Sequence, residues 1–174
     1  MRPITVSVGP LAAASATNIR TASAIAGAGA VTLNGSLVSS GVATLDTQRR
    51  VLFTSAGNDS GITFTISGTN NNKDLISETL TGGNATGVYT VLDYKTVTSV
   101  TASGASAGNV SIGTNGVAGS PWVMLDPWAY APVAAQLNVS GTVNYTLQQT
   151  LDDPNDPTNP VTPANMTWIN CADT

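Results

Sequence analysis

From residue 49 to residue 112 the chain is a succession of short β-branched and aromatic runs, cut at regular intervals by Gly/Asn clusters. Nothing in it repeats at 3.6 residues. The clearest run is Ile62, Phe64 and Ile66 alternating with Thr63, Thr65 and Ser67, which is the two-residue period of a half-buried strand. Further runs lie at residues 4–8, 31–33, 49–54, 75–80, 88–100, 110–112, 133–139, 143–151 and 166–169. Asn34-Gly35, Gly57-Asn58-Asp59, Asn70-Asn71-Asn72, Gly82-Gly83-Asn84 and Gly104 separate them, and such residues tolerate the positive φ of tight turns. Many short strands without a helical stripe predict an all-β protein, an antiparallel β-sandwich or a jelly-roll-like barrel.

Length and texture suggest how the strands are grouped. A chain of 174 residues is long enough to bury a real core. Residues 11–30 are rich in Ala, Ser and Gly and read as an extended N-terminal arm. Residues 1–119, arm included, read as the main β-sandwich domain. Residues 120–174 read as a smaller C-terminal β-element with a Pro/Asp-rich loop. One internal echo exists: Thr54-Ser55-Ala56-Gly57 with Gly61-Ile62 resembles Thr101-Ala102-Ser103-Gly104 with Gly108-Asn109. Two copies are too few for a solenoid and read as one hairpin design used twice.

Composition excludes several kinds of function. Charged residues are only 9%, against about 25% in an average globular protein. Six basic residues and a net charge of −4 argue against a nucleic-acid partner, which demands clustered Lys and Arg. No apolar run approaches the roughly 18 residues of a membrane span. The Ala-rich opening imitates a signal peptide only faintly, since Thr5, Ser7, Gly9 and Pro10 interrupt it. The single Cys171 leaves no internal disulfide to form and reads as a small hydrophobe.

Catalytic chemistry finds little to work with. The chain has no His, so Ser-His and Cys-His pairs and His-based metal sites are absent. Its one Glu, Glu78, sits on an alternating run and reads as an outward, solvated residue. Asp152, Asp153 and Asp156 with Asn155 offer oxygen ligands for Ca²⁺, but they lack the ordered spacing of a calcium loop and read as a turn. The expectation is therefore no enzyme, no cofactor and no metal.

The stretch 121–130 stands apart. Trp122, Trp128 and Tyr130 fall together in an aromatic-poor chain, with Met124 and Leu125 between them. Pro121 and Pro127 each remove a backbone donor, which argues against a central strand. Two readings stay open: a satellite core beneath a connection, or an interface anchor of the kind that concentrates binding energy in Trp and Tyr. A third use of exposed aromatics, as stacking platforms in a carbohydrate-binding adhesive module, would place its site here too.

The run Arg49-Arg50-Val51-Leu52-Phe53-Thr54-Ser55-Ala56-Gly57-Asn58-Asp59-Ser60-Gly61-Ile62-Thr63-Phe64 resembles a segment of tailed-bacteriophage and prophage structural proteins. So do Ser77-Glu78-Thr79-Leu80-Thr81-Gly82, Tyr94-Lys95-Thr96-Val97-Thr98-Ser99-Val100, Val139-Ser140-Gly141-Thr142-Val143-Asn144-Tyr145 and Asp152-Asp153-Pro154. The resemblance spans roughly residues 31–157. It implies a minor virion protein assembled in the host cytoplasm, without separating head from tail; short length and the absence of coiled-coil heptads put a capsid-bound decoration or head-fibre protein ahead of a tail or neck component. A low-charge β-protein must cover its strand edges, which predicts a homo-oligomer; the resemblance puts a trimer ahead of a dimer, in contact with other virion proteins such as the major capsid protein. It carries no catalytic residues.

Overall fold

The computed structural model describes residues 5–125 and 134–171. The chain divides into two compact units, Met1–Trp122 and Val123–Thr174, each taken by itself below.

The first unit is one antiparallel sheet. Its strands are β1 (Ser15–Ser23), β2 (Gly29–Ala30), β3 (Val38–Ser39), β4 (Val42–Ser55), β5 (Thr63–Thr69), β6 (Leu75–Thr81), β7 (Gly87–Ala102) and β8 (Val110–Ala118). The order across the sheet is β1-β8-β4-β7-β5-β6, with β2 beside β7 and β3 beside β4. The alternation read in the sequence is what β5 shows: Phe64 and Ile66 point inward and Thr63, Thr65 and Ser67 do not. β3 and β4 are joined by Ser40-Gly41, both at positive φ (52° and 81°), the conformation of a two-residue hairpin.

The long strands β4 and β7 fold this sheet into two facing layers. Phe53 of β4 is level with Val88 of β7, and Phe64 of β5 is level with Ala102, fourteen residues further along β7. On a straight strand those positions lie about 46 Å apart. The two phenyl rings nonetheless stack with centroids 5.3 Å apart. β7 therefore carries the sheet back over itself, and the result is a β-sandwich made from one folded sheet. Val51, Ile112, Tyr94 and Val100 fill the core around the two rings.

Two expectations need correcting. Residues 15–23 are not an arm: β1 pairs with β8 and buries Ile19 and Arg20. Its Ala/Ser/Thr texture hid the strand because little of it faces the core. Conversely, residues 5–14 form no strand, although 6 and 8 alternate as one would; they are held through Gly9 N–H to Thr47 Oγ1 (3.3 Å) and Ala12 N–H to Asp46 (2.6 Å). Ile4 lies outside the described residues.

The sequence echo has a structural counterpart. The loop after β4 and the loop before β8 lie against each other, with Ala56 N–H bonded to Asn109 C=O at 2.9 Å. A Cβ on Gly57 would sit 2.8 Å from the Ala107 carbonyl carbon, and one on Gly108 would sit 2.8 Å from Gly57 N. Glycine stands at both places because the backbones touch.

The second unit is sparser. Its regular structure is β9 (Gln148–Gln149) paired with β10 (Ile169–Asn170), and a 3₁₀ turn at Pro163–Asn165. Cys171 N–H extends this pairing to Leu147 C=O at 2.8 Å. Of the runs expected at 133–139 and 143–151, only Gln148 and Gln149 enter a ladder, and the backbone bends between the two runs, with Gly141 at φ 93°; Val133 lies outside the described residues. Among the described residues no helix is long and apolar enough to cross a membrane.

Candidate functional site

Several of the first unit's charged side chains gather where its ladders break. Between Thr44 and Arg49 the β4/β7 pairing slips, β4 holding the extra residues. Lys95 of β7 donates to the freed carbonyls of Leu45 (2.9 Å) and Asp46 (3.0 Å). At the next irregularity, opposite Val51, β7 holds the extra residues. There the N–H groups of Val91 and Leu92 donate to the Glu78 carboxylate at 2.9 and 3.1 Å. Thr90 Oγ1 accepts from Val51 N–H (2.8 Å) and donates to Leu92 C=O (2.9 Å). On β1, Arg20 donates to the carbonyls of Ser23 (2.9 Å) and Val110 across its own irregular pairing with β8. Arg49, carried into the core by the inward phase of β4, donates to Asp46 (3.0 Å), Ala12 C=O (3.1 Å) and Asn115 C=O. A buried backbone group without a partner is costly, and here charged side chains supply the partners.

Glu78 therefore reverses the sequence reading. It is 8% exposed, not solvated. The β6 phase sets it inward with Ile76 and Leu80, between exposed Ser77 and Thr79, while its acceptor role is created by an irregularity on β7, a strand that β6 does not pair with. Burial raises the Glu78 carboxyl above its ordinary pKa, while the bonds from Val91, Leu92 and Tyr94 and the charge of Arg50 pull it back. Burial also raises the Tyr94 hydroxyl, and the neighbouring Glu78 charge adds to it.

Asp93 lies across the β4/β7 ladder from Arg50. Burial pushes its carboxyl up to about 6, against the opposing pull of Arg50 and with a further push from Glu78. A Cβ at Gly119 would fall 2.0 Å from Asp93 Oδ2, so the backbone there covers this carboxylate closely. Asp93 Oδ1 and Arg50 Nε are both buried without a hydrogen-bond partner. Perturbed carboxylates of this kind are also what an active site is made of. Glu78, however, has both oxygens committed to backbone amides.

The aromatic stretch falls across the division between the units. Trp122 closes the first and is 45% exposed; Met124 and Leu125 open the second and are 69% and 49% exposed. Trp128 and Tyr130 lie outside the described residues. The acidic loop turns its carboxylates onto its own backbone. Asp152 accepts from Thr167 N–H (2.5 Å), Asp153 from Asn155 N–H (2.8 Å), and Asp156 from Thr158 and Asn159 N–H (2.7 and 2.8 Å). The Asp153 and Asp156 bonds are local Asx-type turns, as the turn reading of that loop expects, while the Asp152 bond ties the loop to Thr167, fifteen residues on. Cys171 is partly exposed with a free thiol.

Compared with known protein families, curated proteins and solved structures, the chain matches none.

Proposed function

We propose that this chain is a structural subunit of a tailed-phage particle, bound to the head as a decoration or head-fibre protein. It assembles as a homo-oligomer, with three copies ahead of two, and contacts other virion proteins such as the major capsid protein. The observation that carries this reading is where the charge goes. Arg20, Arg49, Lys95 and Glu78 are committed to backbone groups within the sheet. What remains outside is mostly Ser, Thr, Asn and Gly, a surface that costs little to desolvate. Protein interfaces are depleted of charge at their centres in the same way. The resemblance of roughly residues 31–157 to phage structural proteins supports the reading from an independent side. The exposed Trp122, Met124 and Leu125, with Trp128 and Tyr130, are the anchor by which the subunit grips a neighbour or the shell.

Gold-labelled antibody on purified particles tests the assignment. Label over the head is expected, label at the neck or tail moves the protein there, and unlabelled particles of a host expressing it overturn the role. Selective retention on a glycan array would favour the carbohydrate-binding alternative. For the anchor, Trp122→Ala and Trp128→Ala chains should fold and fail to occupy particles; normal loading of both removes it.

A further inference from the structure

The sequence holds two Asn-Gly pairs, Asn34-Gly35 and Asn115-Gly116, and the first unit treats them in opposite ways. Such a pair can close on itself, because glycine leaves its own N–H unshielded beside the asparagine carboxamide. At Asn34 the fold opposes this. Asn34 Oδ1 accepts from Thr21 N–H (2.9 Å) and Thr21 Oγ1 (3.0 Å), and Gly35 N–H donates to Ile19 C=O (2.9 Å). A Cβ on Gly35 would sit 2.3 Å from the Asn18 carbonyl carbon, so neighbouring backbone presses on this glycine. At Asn115 the contacts favour closure. Residues 115–117 stand opposite the single residue Arg50, where the β4/β8 register slips, and the β1 pairing ends at Thr114. The Asn115 carbonyl, which is the other end of the Gly116 peptide group, accepts from the guanidinium of buried Arg49. The Asn115 side chain is folded back, its Oδ1 accepting from Val117 N–H at 3.0 Å in an Asx turn that spans Gly116. No atom of the first unit comes within 4 Å of the place a Cβ would take on Gly116.

We infer that Asn115-Gly116 is a self-modification site, at which the folded chain converts its own asparagine to an acid. Gly116 N gives up its proton to hydroxide and attacks Asn115 Cγ, closing a succinimide ring; Nδ2 takes a proton from water and leaves as ammonia. Water then opens the ring at either carbonyl and gives aspartate or its iso-aspartyl isomer. Overall one water enters and one ammonia departs. Two groups stabilise the charge that this route develops. As Gly116 N loses its proton, negative charge spreads onto the Asn115 carbonyl oxygen, which the Arg49 guanidinium holds. As the nitrogen attacks, charge builds on Oδ1, where Val117 N–H already points, the arrangement of an oxyanion hole. The extra residues that β8 holds at the slip leave slack for the longer backbone of the iso-aspartyl product. The product also sets a carboxylate on the residue that Arg49 already binds, and Arg49 Nε is buried without a hydrogen-bond partner. The inference stands apart from the virion role, because it rests on contacts within the first unit alone.

The test keeps the full-length chain in mildly alkaline buffer, folded and in urea, and follows both pairs by peptide mass spectrometry after chromatographic separation of aspartyl and iso-aspartyl forms. In the folded chain Asn115 should convert while Asn34 persists. In urea both should convert, with Asn115 slower than in the folded chain, because the Arg49 and Val117 contacts are gone. The iso-aspartyl form should appear among the products at 115, as opening of a ring requires. The inference is overturned if Asn115 is as persistent as Asn34 in the folded chain, or if it converts no faster folded than in urea. It is overturned too if aspartate forms there without its isomer, which is direct hydrolysis by water.

Discussion

In the first unit both edge strands carry a charged side chain turned into the sheet: Arg20 on β1 and Glu78 on β6. Inward charges are a recognised way to keep a strand edge from recruiting another chain. The β1 pairing is also irregular, which spoils it as a template. In the second unit, residues 134–151 have neither charge nor proline, and Gly141 at φ 93° bends the backbone in their middle. The chain thus sets charge at the two edges of its long sheet and none along 134–151.

The difference predicts unequal sensitivity to truncation, and the largest effect belongs to the folded sheet. Phe64→Ala removes one of the two stacked rings that join the facing layers and should cost about 3–5 kcal/mol of unfolding free energy. Tyr145→Ala, at an exposed side chain of the second unit, should change stability by less than about 0.5 kcal/mol. Urea unfolding at low protein concentration compares the two. Equal losses would mean that Tyr145 is packed as firmly as Phe64, and the contrast between the units would be gone.

A smaller effect isolates the guard on β6. Glu78→Ala strips the acceptor from Val91 and Leu92 N–H and leaves one buried and one part-buried amide unpaired, at a cost of about 2–3 kcal/mol. Glu78→Gln keeps one acceptor and should recover part of it. If Glu78→Ala unfolds at the wild-type urea midpoint, the carboxylate is not what satisfies this irregularity.

These charged residues also mark the limit of what the sequence discloses. Ile62 to Ile66 announces β5 because a two-residue period is a local property, written in consecutive residues. The role of Glu78 is not local: it depends on extra residues around 91 in a strand it does not pair with. β1 was missed for a related reason, since only Ile19 and Arg20 of its nine residues are buried, and Arg20 looks like a surface residue until Val110 lies beside it. In residues 134–147 the alternation reads as strand, but Gly141 at φ 93° bends the backbone and breaks the phase that consecutive residues suggest. Of the anchor, the sequence marked the residues, and the described ones, Trp122, Met124 and Leu125, are exposed, but exposure does not reveal a partner.

A third effect is expected at the Arg50–Asp93 rung. Folding raises the Asp93 carboxyl from 3.8 to about 6, so the folded chain retains a proton that the unfolded chain releases between those limits. Stability from this group is therefore complete below about pH 4 and falls as pH climbs to about 6, by about 2 kcal/mol after allowance for partial exposure. Glu78, also raised, acts in the same direction. Asp46 acts oppositely. Burial works to raise it, but bonds from Ala12 and Arg49 outweigh that and hold it low, so its contribution is lost as pH falls below the ordinary carboxylate range. Asp93→Asn should flatten the slope between pH 4 and 6, and unfolding midpoints at those two pH values decide it.

The smallest effect is expected where the second unit looks most like a metal site. Asp152, Asp153 and Asp156 stand within five residues, and their spacing alone permits a calcium reading. Their geometry favours turns, since one oxygen of each already accepts from a nearby backbone N–H, and Asp156 accepts two. A bound cation would compete with those amides for the same lone pairs, and the loop would exchange one set of contacts for another. The hydrogen bonds to Thr158 and Asn159 also hold the Asp156 carboxyl below its ordinary pKa, which keeps it charged without a metal. The melting temperature should accordingly be the same with excess EDTA and with added Ca²⁺. A clear drop in EDTA that Ca²⁺ reverses would make these three carboxylates ligands and the second unit a metal-organised element.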